Sequence, residues 1–297
     1  MFEFMVALKS QGFMQNAVII GLFASVACGI MGTYVVVKRI VFISGGISHT
    51  VLGGMGIAYY YGYHPIYGAV VSALVAAIVI GLVSLRYHQY EDTIIGALWA
   101  IGMAVGILFI YKTPGYNIDL MSYLFGNILM VDKGSVYLVA SLDALIIALV
   151  LLFYKRFLAV CFDEEYSQLQ GIGVVTTYLL LLCLIALTIV ILIQVVGIIL
   201  VIALLTLPAA TARYYVRSLG QMMILASLLG AVFTTSGLIV SYQPNLPAGA
   251  TIIVIAGLAY LLATVFKGLA SRVHGHRDKG THEKMAGLEQ GCKITES

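Results

Sequence analysis

Nine apolar stretches dominate this sequence, and each is close to the length that a helix needs to cross a lipid bilayer, about 20 residues. They cover residues 13–37, 43–61, 65–85, 92–111, 134–154, 174–193, 195–212, 220–241 and 248–267. Hydrophobic residues make up 61% of the chain and charged residues 10%, whereas soluble domains carry about 25% charged residues. So few charges cannot cover a surface that faces water. The sequence therefore predicts an all-α polytopic membrane protein.

The number of spans depends on one continuous apolar block, residues 174–212, which only Gln194 and Gly197 interrupt. This block is long enough for two helices joined by a tight turn. We therefore expect eight to ten transmembrane helices, with nine as the favoured number. A further apolar piece, residues 119–131, is too short to cross and is expected to form a surface or re-entrant helix.

The basic residues predict the orientation of the spans. One set of loops holds Lys38, Arg39, Arg86, Lys155, Arg156, Arg213 and Arg217, and the opposite set holds only Lys9, Lys112 and Lys133. Loops rich in lysine and arginine stay in the cytoplasm, so the first set is placed there. Nine crossings then predict an external N-terminus, on an uncleaved first span, and a cytoplasmic C-terminus.

The domain organisation is a single transmembrane domain, residues 1–268, followed by a polar tail, residues 269–297. The tail mixes charges without apolar periodicity, so we expect it to be disordered. It contains His274, His276 and His282, which permit two interpretations, metal binding or a plain solvated tail. The four cysteines have no paired spacing and are interpreted as inert small apolar residues: Cys28, Cys161, Cys183 and Cys292.

The second apolar stretch contains an unusual polar feature. In a helix, Gly45, His49, Gly53 and Gly56 share one face, and small residues on one face let another helix approach closely. His49 would then point into a tight helix interface. Either it only hydrogen-bonds a neighbouring helix, or it lines a transport path as a metal ligand or gate, because ionisable groups inside spans are functional candidates.

A second ionisable residue, Asp143, is predicted to lie near the middle of its span. It could pair with His49 across helices, or remain protonated beside a local partner. A carboxylate together with an imidazole suits a divalent transition metal. Asp143 is therefore a second candidate for the transport path.

The longest acidic segment between spans is residues 161–174. Asp163 and Glu164 suit the first turn of a short helix, where negative charge interacts favourably with the helix dipole, and Gly171 can end that helix. The segment is either a simple loop or a lever that docks into a partner.

Several signatures are missing from the sequence. It contains no G-x-x-x-x-G-K-[ST] motif, so the chain is not expected to bind ATP through a P-loop. It also lacks the H-E-x-x-H and G-x-S-x-G signatures of metalloproteases and hydrolases. An intramembrane enzyme is therefore not expected, and neither is a tightly bound cofactor.

Four segments in this order resemble the metal-uptake ABC permease family, the membrane subunits of bacterial zinc, manganese and iron importers. They are "SGGISHTVLGGMGIAYYYG" (44–62), "FDEEYSQLQGIGV" (162–174), "VVGIILVIALLTLPAATA" (195–212) and "LPAGATIIV" (246–254). The resemblance spans residues 13–267. It implies a multi-pass protein of the bacterial inner membrane that works as a homodimer or paired permease. It further implies two cytoplasmic ABC ATPase subunits, an external metal-binding protein and a transported divalent metal.

The resemblance also implies roles for particular residues. The family's serine–histidine pair falls on Ser48 and His49, and its coupling helix, which rests in a groove of the ATPase, falls on residues 163–173. The coupling residues implied there are Asp163, Glu164, Glu165 and Gly171.

One position departs from the family pattern. Many members carry an aspartate four residues before the histidine, where this sequence has Gly45. Either Asp143 compensates, or His49 acts alone with its symmetry mate, and zinc, manganese and iron all stay open. The alternative function is a secondary, ion-coupled metal transporter, which would need several membrane carboxylates, whereas only Asp143 is clearly mid-span.

Overall fold

The structure is a computed structural model that describes residues 10–87, 91–113, 126, 128, 131–242, 244 and 246–267. Within these residues the chain forms ten helices. They are α1 (Gly12–Val37), α2 (Val41–Tyr60), α3 (Pro65–Arg86), α4 (Glu91–Lys112), α5 (Lys133–Phe162), α6 (Glu164–Leu169), α7 (Val174–Val196), α8 (Ile198–Ala212), α9 (Leu219–Tyr242) and α10 (Ala248–Lys267).

Eight of these helices are long and apolar enough to cross a membrane, which confirms the predicted all-α polytopic class. The exceptions are α6, with 6 residues, and α8, with 15 residues. At about 1.5 Å per residue, α8 is about 22 Å long, less than the roughly 30 Å of hydrocarbon in a bilayer. The favoured number of nine spans therefore depends on how α8 is placed.

The junction between α7 and α8 lies inside the protein. Gly197 has a φ of 85°, a conformation that favours glycine, and it separates the two helices without any longer loop. Gly126 packs on this junction so closely that a methyl group built on it would overlap the carbonyl group of Val196. Irregular backbone at membrane depth is tolerated where protein covers it, and Gly126 provides part of that cover.

The short apolar piece at 119–131 lies mostly outside the described residues, so its predicted helical form stays a prediction. Its described positions do contact the interior. Ile128 is buried and lies against Gly21, nine residues into α1. The amide of Asn16 donates a hydrogen bond to the carbonyl oxygen of Val131.

Two contacts fix the direction of α1 and α5. The Asn16–Val131 contact joins the beginnings of both helices. At their other ends, the ammonium group of Lys38 donates a hydrogen bond of 2.9 Å to the carbonyl oxygen of Val160. The two helices therefore run parallel, from a Val131 face of the molecule to a Lys38 face.

The first and last described residues lie at opposite faces. Ser10 precedes α1 at the Val131 face. At the Lys38 face, Ala212 at the end of α8 belongs to a cluster against which Val37 packs. Lys267, at the end of α10, donates a hydrogen bond to the carbonyl oxygen of Tyr214, two residues beyond α8. The short α8 thus returns the chain to the Lys38 face, as nine traversals require.

Candidate functional site

The glycine-rich face of α2 packs directly on α4. A methyl group built on Gly53 would lie 2.8 Å from the carbonyl oxygen of Gly102, and one built on Gly56 would lie 2.6 Å from that of Gly106. Such contacts exclude any side chain at these glycines, because the backbones of the two helices touch. The predicted close approach of another helix on this face is therefore present, and its partner is α4.

His49 lies on the same side of α2 and stacks on Trp99 of α4. The two ring centroids are 4.0 Å apart and the ring planes differ by 12°. The Nδ1 atom of His49 is buried and has no hydrogen-bond partner among the described residues. A buried nitrogen without a partner costs about 1–3 kcal/mol, so the described residues leave the hydrogen-bonding capacity of this atom unused.

The indole of Trp99 also covers Gly45. A methyl group built on Gly45 would lie 3.2 Å from the Cζ3 atom of Trp99, which is tighter than an ordinary van der Waals contact. The space in front of Gly45, one helical turn before His49, is therefore filled by the indole ring.

Ser48, the other member of the predicted pair, is fully buried. Its hydroxyl donates a hydrogen bond of 2.7 Å to the carbonyl oxygen of Ser44, inside α2. In this conformation the hydroxyl hydrogen is used within the helix, and only a lone pair of the oxygen can face a ligand.

Asp143 lies in a different part of the bundle. It is 4% exposed, and neither of its carboxylate oxygens has a hydrogen-bond partner among the described residues. Its helix, α5, packs on α1 and α7, and Cys28 of α1 lies within electrostatic range of Asp143. The structure therefore contains no hydrogen bond between Asp143 and His49. The Nδ1 atom of His49 and both carboxylate oxygens of Asp143 are buried without a hydrogen-bond partner among the described residues.

The predicted short helix between two spans is present as α6. Asp163 caps it, because its Oδ1 atom accepts a hydrogen bond of 2.8 Å from the backbone N–H of Tyr166. Glu164 and Glu165 occupy the first turn. Gly171 follows the helix with a φ of 74°, as the residue after a helix commonly does.

An ion pair that sequence reasoning missed holds α6 against the bundle. The ammonium group of Lys38 pairs with the carboxylate of Glu164. Their side chains are 16% and 33% exposed, so water only partly screens the pair. From the sequence, Lys38 served only to predict the orientation of the spans. Glu164 lies 126 positions later, so no local sequence pattern predicts that the two residues pair.

Sequence reasoning also missed Trp99, the single tryptophan of the chain, because its contact with His49 joins two separate helices. No group of three or more histidine, cysteine, aspartate or glutamate side chains that could hold a metal occurs in the described part of the chain. The tail histidines, His274, His276 and His282, lie outside the described residues.

Comparisons with known proteins give concordant matches. A sequence profile of the ABC 3 transport family matches residues 10–267. The membrane protein slr2045 of Synechocystis sp. is 49% identical over 90% of this chain and 95% of its own length. The manganese transport system membrane protein MntC of Listeria innocua is 35% identical over 89% of this chain and 94% of its own length. A solved chain of PsaBC from Streptococcus pneumoniae in complex with Fab aligns with a TM-score of 0.79 and 33% identity, covering 88% of this chain and 94% of that one.

Proposed function

The chain belongs to the ABC 3 transport family, and from this premise we propose that it is the membrane permease subunit of an ATP-driven importer of a divalent transition metal. Zinc, manganese and iron are the candidate ions, and a relative is named for manganese transport. The observation that carries the proposal is the buried, unpartnered Nδ1 atom of His49 in the glycine-lined interface of α2 and α4.

A transport site has to bind its ion weakly, since a tight site would trap the cargo. One imidazole per subunit, two across a homodimer or paired permease, satisfies this requirement better than a full set of four ligands would. Imidazole nitrogen is a suitable ligand for zinc and iron, and it also binds other first-row ions. Ser48 and Asp143 are the further candidates for the path.

The complete machine would contain two cytoplasmic ATPase subunits and an external protein that delivers the metal. In this proposal, α6 and the residues up to Gly171 form the coupling helix that docks into the ATPase. Asp163, Glu164 and Glu165 give its first turn a negative charge. The Lys38 face is then cytoplasmic and holds the C-terminus of a multi-pass protein of the bacterial inner membrane, while the N-terminus is external.

The substitution His49→Asn tests the proposal, because it keeps hydrogen bonding and removes most affinity for transition metals. We expect the variant to fold, to bind the ATPase subunits and to lose most metal uptake. The matched control is His64→Asn, since His64 is exposed beyond the end of α2, where its Nδ1 atom only accepts a bond from the backbone of Ile66. Uptake near the wild-type rate in His49→Asn would refute the assignment and direct the search to Asp143.

The alternative, a secondary transporter, predicts metal uptake that follows an ion gradient without ATP. Proteoliposomes holding the permease with and without ATPase subunits separate the two functions. Uptake that needs both the ATPase subunits and ATP supports the importer, whereas gradient-driven uptake by the permease alone would replace it with the secondary transporter.

A further inference from the structure

Trp99 makes two separate contacts with the face of α2 that carries His49. Its indole lies parallel to the imidazole at 4.0 Å, so it covers one side of the ring and limits rotation about the side-chain bonds. The same indole fills the space in front of Gly45. One side chain therefore sets both the orientation of the histidine and the volume available beside it.

Stacking on Trp99 favours states in which the imidazole ring of His49 carries positive charge. An indole carries negative charge on its ring face and attracts cations that lie over it. When a divalent ion binds the imidazole nitrogen, the ring takes up part of the positive charge, and the indole stabilises that state. Trp99 thus supports metal binding at His49 without being a ligand itself.

The filled space beside Gly45 limits the ligands that this chain can offer. Asp143, the one described acidic side chain buried within a span, lies on α5, which packs on α1 and α7 rather than on α4. A carboxylate added at position 45 would meet the indole. The described part of the chain therefore gives His49 an aromatic neighbour in place of a carboxylate.

We propose that Trp99 is the positioning residue of the His49 site and makes it selective for ions that prefer imidazole, such as Zn²⁺, over Mn²⁺, which prefers carboxylate. Imidazole suits zinc and iron, whereas carboxylate, carbonyl and water suit manganese. This inference rests on the proposed function, because it presumes that His49 binds the transported ion.

The single tryptophan makes the site directly observable. In the purified permease–ATPase complex, the difference in emission between wild type and Trp99→Phe isolates the signal of Trp99. Zn²⁺ added to the wild-type complex is expected to change this signal, and His49→Asn is expected to abolish the change. Half-saturation by Mn²⁺ should need a concentration about tenfold higher or more.

Three variants test the positioning role. Trp99→Ala is expected to weaken Zn²⁺ binding, measured by equilibrium dialysis, by about 2- to 12-fold, the range expected for the loss of an aromatic pair. Trp99→Phe keeps a flat ring and is expected to recover most of the affinity. The double variant Gly45→Asp/Trp99→Ala is expected to shift the Zn²⁺/Mn²⁺ affinity ratio toward Mn²⁺ by at least about fivefold, because a carboxylate then replaces the indole.

The outcomes separate the two proposals. If His49→Asn leaves Zn²⁺ binding and uptake intact, the proposed site is wrong. If His49→Asn abolishes them, the site stands and the other variants test the role of Trp99. Wild-type Zn²⁺ binding by Trp99→Ala would then overturn the positioning role alone, and so would a wild-type ion ratio in the double variant. The emission titration needs only the wild-type complex and the conservative Trp99→Phe variant, so it tests the selectivity even if Trp99→Ala or the double variant fails to fold. Equal half-saturation by Zn²⁺ and Mn²⁺ would overturn the selectivity.

Discussion

Lys38, directly after α1, forms an ion pair with Glu164, the first residue of α6, and also donates a hydrogen bond of 2.9 Å to the carbonyl oxygen of Val160. Only Arg39 and Ile40 separate Lys38 from α2, the helix of His49. The proposed coupling helix is thus tied by one side chain to the turn that leads into the proposed transport site. A displacement of α6 would reach α2 through this turn.

The substitution Lys38→Met tests this connection, because methionine keeps much of the apolar stem and loses the charge. We expect a loss of about 1.5–3 kcal/mol in the free energy of unfolding, as for hydrogen bonds to charged groups, and fewer ions transported per ATP hydrolysed. Thermal unfolding and paired assays of uptake and hydrolysis measure both. Arg217→Met is the control, since this exposed cation lies at the same face outside the ion pair. An unchanged ratio of uptake to hydrolysis would show that the pair only stabilises the fold.

Gly171 is expected to be sensitive to β-branched residues. Its φ is 74°, and no atom would contact an added Cβ within 4 Å, so any penalty comes from the backbone alone, about 1–2 kcal/mol. Gly171→Val should distort the end of α6 and uncouple hydrolysis from uptake while the protein stays in the membrane. Gly171→Asn should be milder, since asparagine tolerates this conformation, and Gly173→Ala is a control at an ordinary φ. Normal uptake and normal stimulated hydrolysis in Gly171→Val would contradict the coupling role.

The contact of α2 with α4 predicts opposite effects for two glycine substitutions. Gly53→Ala should destabilise the protein by about 1–3 kcal/mol, because the added methyl group meets the backbone of Gly102. Gly96→Ala, on α4 where nothing lies within 4 Å of an added Cβ, should be neutral or stabilising by up to about 1 kcal/mol. Thermal unfolding in detergent compares them, and equal midpoints would argue against the close packing.

Asp143 offers a test that separates stability from transport. Its carboxylate is buried without a hydrogen-bond partner among the described residues, so Asp143→Leu, which removes both oxygens, should raise the free energy of unfolding by about 1–3 kcal/mol. If Asp143 lines the path, the same variant should lose uptake. Thermal unfolding and metal uptake are measured on one preparation, with Asp92→Leu in α4 as the exposed control. A stabilised variant with full uptake would remove Asp143 from the path.

The orientation can be tested by cysteine labelling on a background without the four native cysteines. Single cysteines at Tyr63 and Thr113 should react with an impermeant reagent from outside, and so should one at Gln243, which lies outside the described residues. A cysteine at the exposed Ser218 should not react. Labelling of Ser218 from outside would show that residues 174–212 cross the membrane only once.

Much of the fold could be predicted from the sequence, because the properties concerned are local. Long apolar stretches predict spanning helices wherever they occur. The acidic start and glycine end of 163–173 predict α6, and the spacing of Gly45, His49, Gly53 and Gly56 places them on one helix face. None of these inferences requires knowledge of which helices are neighbours.

The neighbours were decided by tertiary structure alone. Stacking of His49 on Trp99, pairing of Lys38 with Glu164 and the position of Asp143 against α1 rather than α2 all join segments far apart in the chain. Lipid chains are as apolar as leucine, so hydrophobicity does not distinguish one helix partner from another in a membrane. Close packing between small residues and a few polar contacts makes that choice, and these depend on the three-dimensional fit of the helices.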